Sequence, residues 1–297
     1  MRRTLSSSNM AKVLVSGSTG LLGSALVPLL QERGHQVTRL GHTQAADFNV
    51  NLVSYEQTAQ ALDKVQPEVI INLTALTNVD RCETHPQEAY LLNVKPVENL
   101  KSWINVASQH CHLIQISSDQ VYDGSGPHTE SQLTIRNQYA MSKLAGEFAA
   151  MNVPSTVLRT NFFGRSLRKG RDSFTDWLYS GLLGKASVNV FNDVLFSPLA
   201  MATLCDCIER IVVELPIGVF NLGSCEGMSK ADFAFAFAAA TNLPTSNLVR
   251  CNSTSTAALA ACRPTDMRMR CERFENRMGL KLPRLIDEIL LVARDYL

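Results

Sequence analysis

The feature that most constrains the fold is a glycine-rich turn near the start of the chain. An apolar segment from Lys12 to Ser16 is predicted to be a buried strand, and it runs directly into Gly17-Ser18-Thr19-Gly20-Leu21-Leu22-Gly23, where a helix is predicted to begin and continue to Arg33. Glycines in such a turn let the backbone bend tightly and approach a pyrophosphate, whose charge is met by free amides and by the helix dipole. We therefore interpret the turn as a dinucleotide-binding element rather than as a plain strand-to-helix connection.

The strand-then-helix order repeats along the first half of the chain. Further strands are predicted at 36–40, 68–73, 112–117 and 155–158, with helices at 55–65, 86–109 and 138–151 between them. This order implies parallel pairing with right-handed crossovers, and therefore an α/β fold with a Rossmann-type doubly wound parallel sheet. The ligand crevice of such a sheet lies at the carboxyl ends of its strands.

The alternation becomes less regular beyond about residue 160, where short strands at 187–190 and 218–221 lie between helices. We predict a flexible N-terminal extension over residues 1–10 and a dinucleotide-binding domain over 11–160. Residues 161–297 are predicted to form mainly a smaller substrate-binding lobe that shares the core of the first domain. Phe233 to Phe237 in this lobe is interpreted as helix packing rather than as a ligand site.

Composition excludes several classes of function. The 28 basic and 27 acidic residues leave a formal net charge of +1, so the chain has no field to hold nucleic acid or an anionic membrane surface nonspecifically. The eight cysteines lack the spacing of metal ligands, and we predict reduced, mostly buried thiols and no metal site. No segment reaches the roughly 18 continuous apolar residues of a membrane helix, which favours a cytoplasmic location.

The residue at the end of the second strand indicates which dinucleotide is bound. An NAD site usually has an acidic residue there to take the ribose 2′-hydroxyl, but this chain has Arg39. Its guanidinium favours NADP(H), with NAD(H) as the alternative, because it can pair with a 2′-phosphate; a solvated surface arginine is the competing interpretation. Asp47 and Phe48 are candidates for contact with the adenine, although Asp47 also suits a turn cap. His42 is read as a solvated loop residue, with a phosphate contact as the alternative.

A tyrosine and a lysine four residues apart suggest proton transfer. Tyr139 and Lys143 lie on one face of the predicted helix over 138–151, so both side chains can reach one ligand. The tyrosine pKa of about 10 must fall for acid–base work near neutrality, and a lysine ammonium and an oxidised nicotinamide both favour the phenolate. Ser118, at the end of the strand over 112–117, can hydrogen-bond a carbonyl oxygen that gains charge as hydride arrives. Together these residues form a candidate catalytic set.

With these residues the chain resembles the extended short-chain dehydrogenases/reductases, and within them the dTDP-4-dehydrorhamnose reductase group. The resemblance spans nearly the whole chain. The motifs that carry it are Gly17 to Gly23, the segment from Asn72 to Asp80, Asn93, the segment from Ser117 to Gly124, Tyr139 to Glu147, Arg159-Thr160 and Arg263-Pro264.

The resemblance implies hydride transfer from NADPH to the 4-keto carbon of a nucleotide-linked deoxysugar, with Tyr139 as proton donor and Ser118 orienting the oxygen. Cofactor contacts are implied for Thr74, Ala75, Leu76, Thr77 and Asn93. Val79, Asp119, Phe162 and Arg263 would lie near the sugar nucleotide. A homodimer is the oligomeric form considered for such an enzyme.

Three positions depart from the usual pattern of the group. Serine stands at 118 in place of threonine, glutamine at 120 in place of tyrosine, and phenylalanine at 162 in place of tryptophan. The first exchange preserves the hydroxyl, whereas the other two change the pocket and leave the sugar and its nucleotide open. Asp119-Gln120 in place of the Asp-Glu of the dehydratases disfavours dehydration.

Two other functions remain open from the sequence. The regulatory subunit of methionine adenosyltransferase resembles the same family and binds NADP(H) while serving a partner enzyme, and an epimerase would use its cofactor without net consumption. Outside these motifs, Arg165, Arg168, Lys169 and Arg171 form a basic cluster around Gly170. A solvated loop is the default interpretation of this cluster, and a grip on a diphosphate is the alternative.

Overall fold

The structure is a computed structural model that describes residues 10–41, 46–107, 110–253 and 259–297. Residues 1–9 of the predicted extension lie outside these ranges, as does His42.

Parallel strands at the centre of the molecule form the main sheet. The strands in chain order are β1 (Lys12–Ser16), β2 (Gln36–Gly41), β3 (Phe48–Asn49), β4 (Val69–Asn72), β5 (His112–Ile116), β6 (Ser155–Thr160), β7 (Phe162–Phe163), β8 (Val188–Phe191), β9 (Leu195–Phe196), β10 (Leu199–Ala200), β11 (Gly218–Leu222), β12 (Met228–Ser229) and β13 (Leu248–Cys251). Seven of them pair in parallel in the order β11-β6-β5-β4-β1-β2-β3. The predicted doubly wound sheet of the Rossmann type is confirmed.

The connections between these strands are mostly helical. The helices are α1 (Leu21–Glu32), α2 (Tyr55–Val65), α3 (Val79–Thr84), α4 (Pro86–Asn93), α5 (Lys95–Ala107), α6 (Gln138–Ala150), α7 (Phe174–Leu183), α8 (Met201–Glu214), α9 (Lys230–Ala240), α10 (Glu272–Met278) and α11 (Leu285–Ala293). The single helix predicted over 86–109 is in fact two, α4 and α5, with Val94 between them. Pro96 is the reason, because a residue without an N–H is tolerated in the first turn of a helix but not in its interior.

Alternation along the central strands divides the core between the two faces of the sheet. Val13 and Val15 of β1 point to the face covered by α1 and α8, whereas Leu14 between them points to the face covered by α2 and α5. Trp103 of α5 is fully buried on that second face and donates from Nε1 to Asp63 at 2.8 Å. The sheet is therefore covered on both sides, which explains why strands β4, β5 and β6 are buried throughout.

A separate apolar cluster fills the region formed by the second half of the chain. Helices α7, α9 and α11 pack there around Phe233 and Phe237, which are fully buried, and the ring of Phe163 meets Phe233 edge to face at 4.8 Å. The interpretation of the phenylalanine stretch as helix packing is confirmed. Strand β11 also comes from this half of the chain, yet it pairs with β6 and completes the main sheet.

All eight cysteines have free thiols, and five are buried, as predicted. Among the described residues, no group of three or more His, Cys, Asp or Glu side chains is placed to hold a metal ion. Within the same ranges, no helix combines the length and the apolar composition needed to cross a bilayer.

Candidate active site

The glycine turn lies at the carboxyl end of β1 and forms the floor of an extended cleft. Gly17 has a φ of +69°, and a Cβ there would lie 3.0 Å from the carbonyl carbon of Leu73. A Cβ on Gly23 would lie 2.6 Å from the carbonyl oxygens of Gly17 and Ser18, so glycine lets α1 approach the turn. Helix α1 begins after Gly20 without a side-chain cap, which leaves its first amides available to an anion.

The other turn residues divide between the cleft and the core. Thr19, Leu21 and Leu22 line the cleft together with Gly17 and Gly20. Ser18 is buried instead, and its hydroxyl donates to the carbonyl of Leu40 at 2.9 Å. Its side chain therefore fastens the turn to β2.

The end of the cleft beside the carboxyl end of β2, lined by Leu40 and Gly41, is where the adenosine of a dinucleotide would lie, and we call it the adenosine end. Close to it, two predicted cofactor residues, Arg39 and Asp47, pair with each other. The guanidinium of Arg39 donates to Asp47 Oδ1 at 2.6 Å from Nη2 and at 3.2 Å from Nε, and the Arg39 amide donates to Asp47 Oδ2 at 2.9 Å. This pairing lowers the pKa of Asp47 and raises the pKa of Arg39. Phe48 packs against the core beneath the sheet.

Six of the residues that line this end of the cleft were not predicted from the sequence. They are Val50, Asn51, Leu52 and Val53, which follow β3, and Leu92 and Pro96 near the break between α4 and α5. The sequence pattern gave little indication of these residues, because β3 has only two residues and the break between α4 and α5 was not predicted. The apolar members form a surface suited to a flat heterocycle such as adenine.

The loop that follows β4 forms one wall of the cleft. Thr74, Ala75 and Thr77 line it. Asn93 is buried outside the cleft lining and supports the loop by hydrogen bonds. Its Oδ1 accepts from the Leu76 amide at 2.6 Å, and its Nδ2 donates to the Leu76 carbonyl at 3.2 Å and to Ser142 Oγ at 2.8 Å. Leu76 and Asn93 therefore hold the loop against α6.

At the opposite end of the cleft, the candidate catalytic residues meet as the sequence predicts. Tyr139, Lys143 and Ser118 all line this part of the cleft, and each is less than 10% exposed. Helix α6 is capped at its N-terminus by Asn137, whose side chain accepts from the Ala140 amide. Tyr139 and Lys143 then lie one turn apart on the buried face of the helix. Lys143 Nζ donates to the carbonyl of Ile116 at 2.7 Å, which fixes the ammonium below the end of β5.

Burial dominates the ionisation of the tyrosine and the lysine. Desolvation raises the pKa of Tyr139 to about 12, against an opposing interaction with the Ser118 hydroxyl. Desolvation lowers the pKa of Lys143 to about 8, although the carboxylate of Glu147 opposes this change. The protein's own groups therefore do not lower the tyrosine pKa as the sequence suggested. The phenol is neutral and the lysine is mostly charged near neutrality, which is the state needed to donate a proton.

An acidic group lies next to the serine. Asp119 Oδ1 accepts from Ser118 Oγ at 3.2 Å, and Asp119 Oδ2 accepts from Asn161 Nδ2 at 2.7 Å. Burial raises the pKa of Asp119 to about 6, against the Asn161 bond and the positive charge of Lys230. Asn161 and Lys230 were both missed from the sequence. Asn161 follows the carboxyl end of β6, where a ligand-facing residue is expected, whereas a single lysine at the start of α9 gave no signal.

Of the remaining predicted substrate residues, Phe162 lines the cleft, whereas Val79 and Arg263 lie outside its lining. Phe162 lines the cleft beside Asp119. Val79 packs in a small cluster with Tyr139 and Cys82. Arg263 is paired with Asp80, with 2.7 Å between Nη2 and Oδ2, and its charge acts on the nearby Lys230, whose pKa is lowered mainly by burial. The ammonium of Lys230 lies 6.0 Å from the ring centre of Phe174 and 5.9 Å from that of Phe196.

A buried ion pair supports the catalytic end of the cleft. Glu147 of α6 and Arg159 of β6 are joined at 2.6 Å, and Glu147 also accepts from the hydroxyl of Ser117. Arg159 donates further to the hydroxyl of Tyr122 at 2.8 Å, and Tyr122 donates to Asn221 of β11 at 2.6 Å. This network connects α6, β6 and β11 directly behind Ser118 and Lys143, so it fixes the distance between the serine and the helix.

The chain resembles known proteins over nearly its whole length. The family model described as "RmlD substrate binding domain" matches residues 11–296. A probable low-salt glycan biosynthesis reductase of Haloferax volcanii is 26% identical, over 93% of this chain and 95% of that protein. The β subunit of methionine adenosyltransferase 2 from Bos taurus is 31% identical, over 93% of this chain and 89% of that protein.

Solved structures have the same fold. A dTDP-4-dehydrorhamnose reductase from Bacillus anthracis, in complex with NADP, superposes with a TM-score of 0.87 at 20% identity, covering 96% of this chain and 99% of its own. A hypothetical dTDP-4-dehydrorhamnose reductase from Sulfolobus tokodaii has a TM-score of 0.82 at 26% identity, covering 93% and 98%.

Proposed function

The chain belongs to the RmlD family, the dTDP-4-dehydrorhamnose reductase-like group of extended short-chain dehydrogenases/reductases, and from that premise we propose that it is an NADPH-dependent reductase of the 4-keto group of a nucleotide-activated deoxysugar. One observation carries the proposal: Ser118, Tyr139 and Lys143 meet at one end of a cleft whose floor is the glycine turn. The relative from Haloferax volcanii is named as a glycan biosynthesis reductase, which favours the same chemistry. We place this activity in the cytoplasm.

The cleft suits a dinucleotide along its length. The residues from Val50 to Val53 would hold the adenine, and the first amides of α1 would hold the pyrophosphate. Lys143 and Tyr139 would face the nicotinamide end. When bound there in its reduced form, the nicotinamide supplies a hydride to an electrophilic carbon.

The chain's own residues then manage the proton and the developing charge. As hydride adds to the carbonyl carbon, the electron pair of the C=O π bond moves to the oxygen, and the neutral phenol of Tyr139 donates its proton to that oxygen. The hydroxyl of Ser118, which donates to Asp119 in the absence of substrate, would turn to the substrate oxygen and stabilise it by a hydrogen bond that is stronger in the transition state than in the ground state. The ammonium of Lys143 stabilises the phenolate that remains until a proton returns from solvent.

The substrate would occupy the side of the cleft between Asp119 and Phe162. Lys230 contributes positive charge close to Asp119, which suits the diphosphate of a nucleotide sugar, whereas the charge of Arg263 is met by its pair with Asp80. The half-buried Lys230, held near two aromatic rings, would contact this anionic part of the substrate.

The proposal is tested by following NADPH oxidation with dTDP-4-keto-6-deoxy sugars. We expect steady turnover by the wild type and a loss of about 10²–10⁴-fold in Tyr139→Phe, which keeps the ring but has no proton to donate. The matched control is Tyr55→Phe, because Tyr55 is an exposed tyrosine on α2; its rate should equal that of the wild type. Absence of turnover with every 4-keto nucleotide sugar would contradict the proposal.

A second function is favoured by a specific observation. The β subunit of methionine adenosyltransferase 2 from Bos taurus is 31% identical to this chain, against 26% for the glycan reductase. A binding subunit of that kind would bind NADPH tightly without turnover and would be recovered in a stoichiometric complex with a partner enzyme. Its effect on the partner would be unchanged in Tyr139→Phe.

A further inference from the structure

A basic loop between β7 and α7 has no role in the function proposed above. The loop comprises residues 164–173 and includes Arg165, Arg168, Lys169 and Arg171. Arg165 lies away from the cleft, where its guanidinium donates to the Asp295 carbonyl and covers the ring of Tyr296. The other three basic residues are exposed.

Two of these arginines reach the cofactor cleft from the opposite lobe. Arg168 lines the adenosine end, together with Leu40 and Gly41 at the end of β2. Arg171 lines both ends, and its guanidinium donates to Thr77 Oγ1 at 3.2 Å. Neither guanidinium pairs with a carboxylate among the described residues, and no acidic side chain lines the adenosine end of the cleft there.

Hydrogen bonds to the first turn of α7 hold both ends of the loop. Asp176 Oδ2 accepts the amides of Ser166 and Ser173, both at 2.9 Å, and Gly164 donates to Thr175 Oγ1 at 3.2 Å. Gly170, with a φ of +75°, turns the chain between Arg168 and Arg171. The backbone that carries the two guanidinium groups is therefore anchored at both ends of the loop, and the Arg168 amide also donates to Ser166 Oγ at 3.1 Å, which reduces the backbone entropy lost when an anion binds.

The residue expected to select the cofactor is already neutralised. Asp47 accepts from both Nε and Nη2 of Arg39. These are the two donor groups with which the guanidinium would otherwise bind a phosphate in bidentate geometry. A phosphate brought to the end of β2 would meet the negative charge of Asp47 as well as the positive charge of Arg39. Near that strand end, Arg168 is the guanidinium without such a carboxylate among the described residues.

We propose that Arg168 binds the 2′-phosphate of NADPH, so that the substrate-binding lobe rather than Arg39 supplies the preference for NADPH over NADH. Arg171, held by Thr77 near the glycine turn, contacts the pyrophosphate that both cofactors share. This assignment rests on the proposed function only in taking NADP(H) as the cofactor. The 2′-phosphate of bound NADPH would then contact both lobes, Arg168 on one side of the cleft and the end of β2 on the other.

Equilibrium binding of NADPH and NADH, measured by titration calorimetry without any sugar, tests the assignment. Arg168→Gln should weaken NADPH binding at least about tenfold, the effect of losing a charge-assisted hydrogen bond, and change NADH binding less than about twofold. Arg171→Gln should weaken both cofactors by a similar factor. Lys169→Gln is the matched control, because this exposed neighbour carries the same charge but does not line the cleft; neither affinity should change.

Three outcomes would overturn the proposal. Arg168→Gln could weaken both cofactors equally, which would place Arg168 on the pyrophosphate, or it could weaken neither. A selective loss of NADPH binding in Arg39→Gln, with Arg168→Gln unchanged, would return the preference to Arg39. Because no sugar is present, these results do not depend on turnover, and failure of the reductase assay would leave them interpretable.

Discussion

At the scale of single residues, burial sets the chemistry of the candidate catalytic pair. Tyr139 and Lys143 are removed from solvent by the same helix face, yet the effects on their pKa values are opposite, because burial disfavours the charged form of each. The phenol keeps its proton, while the lysine titrates close to neutrality. A reductase that delivers a proton to an oxygen needs this combination.

The lysine gives the reaction a pH dependence. Because the pKa of Lys143 is lowered to about 8, its ammonium is present below that pH and is lost as the pH rises through it. We therefore expect kcat/KM for reduction to fall above about pH 8 in the wild type. In Lys143→Arg the guanidinium keeps its charge, so this inflection should disappear even if the rate is lower. A wild-type profile that stays flat from pH 7 to about pH 9 would contradict the role of Lys143.

At the scale of secondary-structure elements, one buried ion pair holds the catalytic helix to the sheet. The side chains of Glu147 and Arg159 are 0% and 4% exposed, and they join α6 to β6. Burial makes each charge costly without the other, while the pair itself adds less to stability than its geometry suggests.

This asymmetry predicts the result of a double-mutant cycle. Arg159→Met should lower the free energy of unfolding by about 3–5 kcal/mol, because it leaves Glu147 buried without its partner, and adding Glu147→Leu should restore part of that loss. The measurement is urea denaturation of each variant. Asp287→Asn is the control, since it removes an exposed pair with Arg284 and should leave the free energy of unfolding nearly unchanged. Equal losses in the buried and exposed pairs would refute the account.

The elements also show which local features the sequence could predict. Strand β1 and helix α2 have the predicted bounds, because each is a single periodic segment bounded by a turn residue or a cap. The break at Val94 was missed because the apolar pattern continues across it, and only Pro96 marks the start of a new helix. The sequence pointed to Asp47 and Phe48 for contact with the adenine, whereas the part of the cleft lining that follows β3 runs from Val50 to Val53. The two-residue strand β3 carries too little pattern to predict that part of the lining.

At the scale of the whole molecule, the two halves of the chain share one sheet and one cleft. Strand β11 from the second half pairs with β6, the basic loop contacts Thr77 in the loop after β4, and Arg263 contacts Asp80 of α3. The alternation of strands and helices predicts the parallel sheet and the position of its crevice. It does not predict contacts across the cleft, because these depend on how irregular segments such as the basic loop fold back. For that reason the candidate catalytic residues could be proposed from the sequence, whereas Asn161 and Lys230 were not predicted, and Arg168 was predicted only as part of a basic cluster whose default interpretation was a solvated loop.

The central claim is that this chain transfers a hydride to a sugar carbonyl and that Tyr139 completes the reaction with a proton. The most direct test uses NADPH labelled with deuterium at C4, prepared separately on each face of the ring, with a dTDP-4-keto-6-deoxy sugar and product analysis by NMR. We predict deuterium at C4 of the sugar with one labelled face only, in stoichiometric yield, and almost no labelled product in Tyr139→Phe. Product formed without deuterium from either face, or equal labelling by wild type and Tyr139→Phe, would contradict the account.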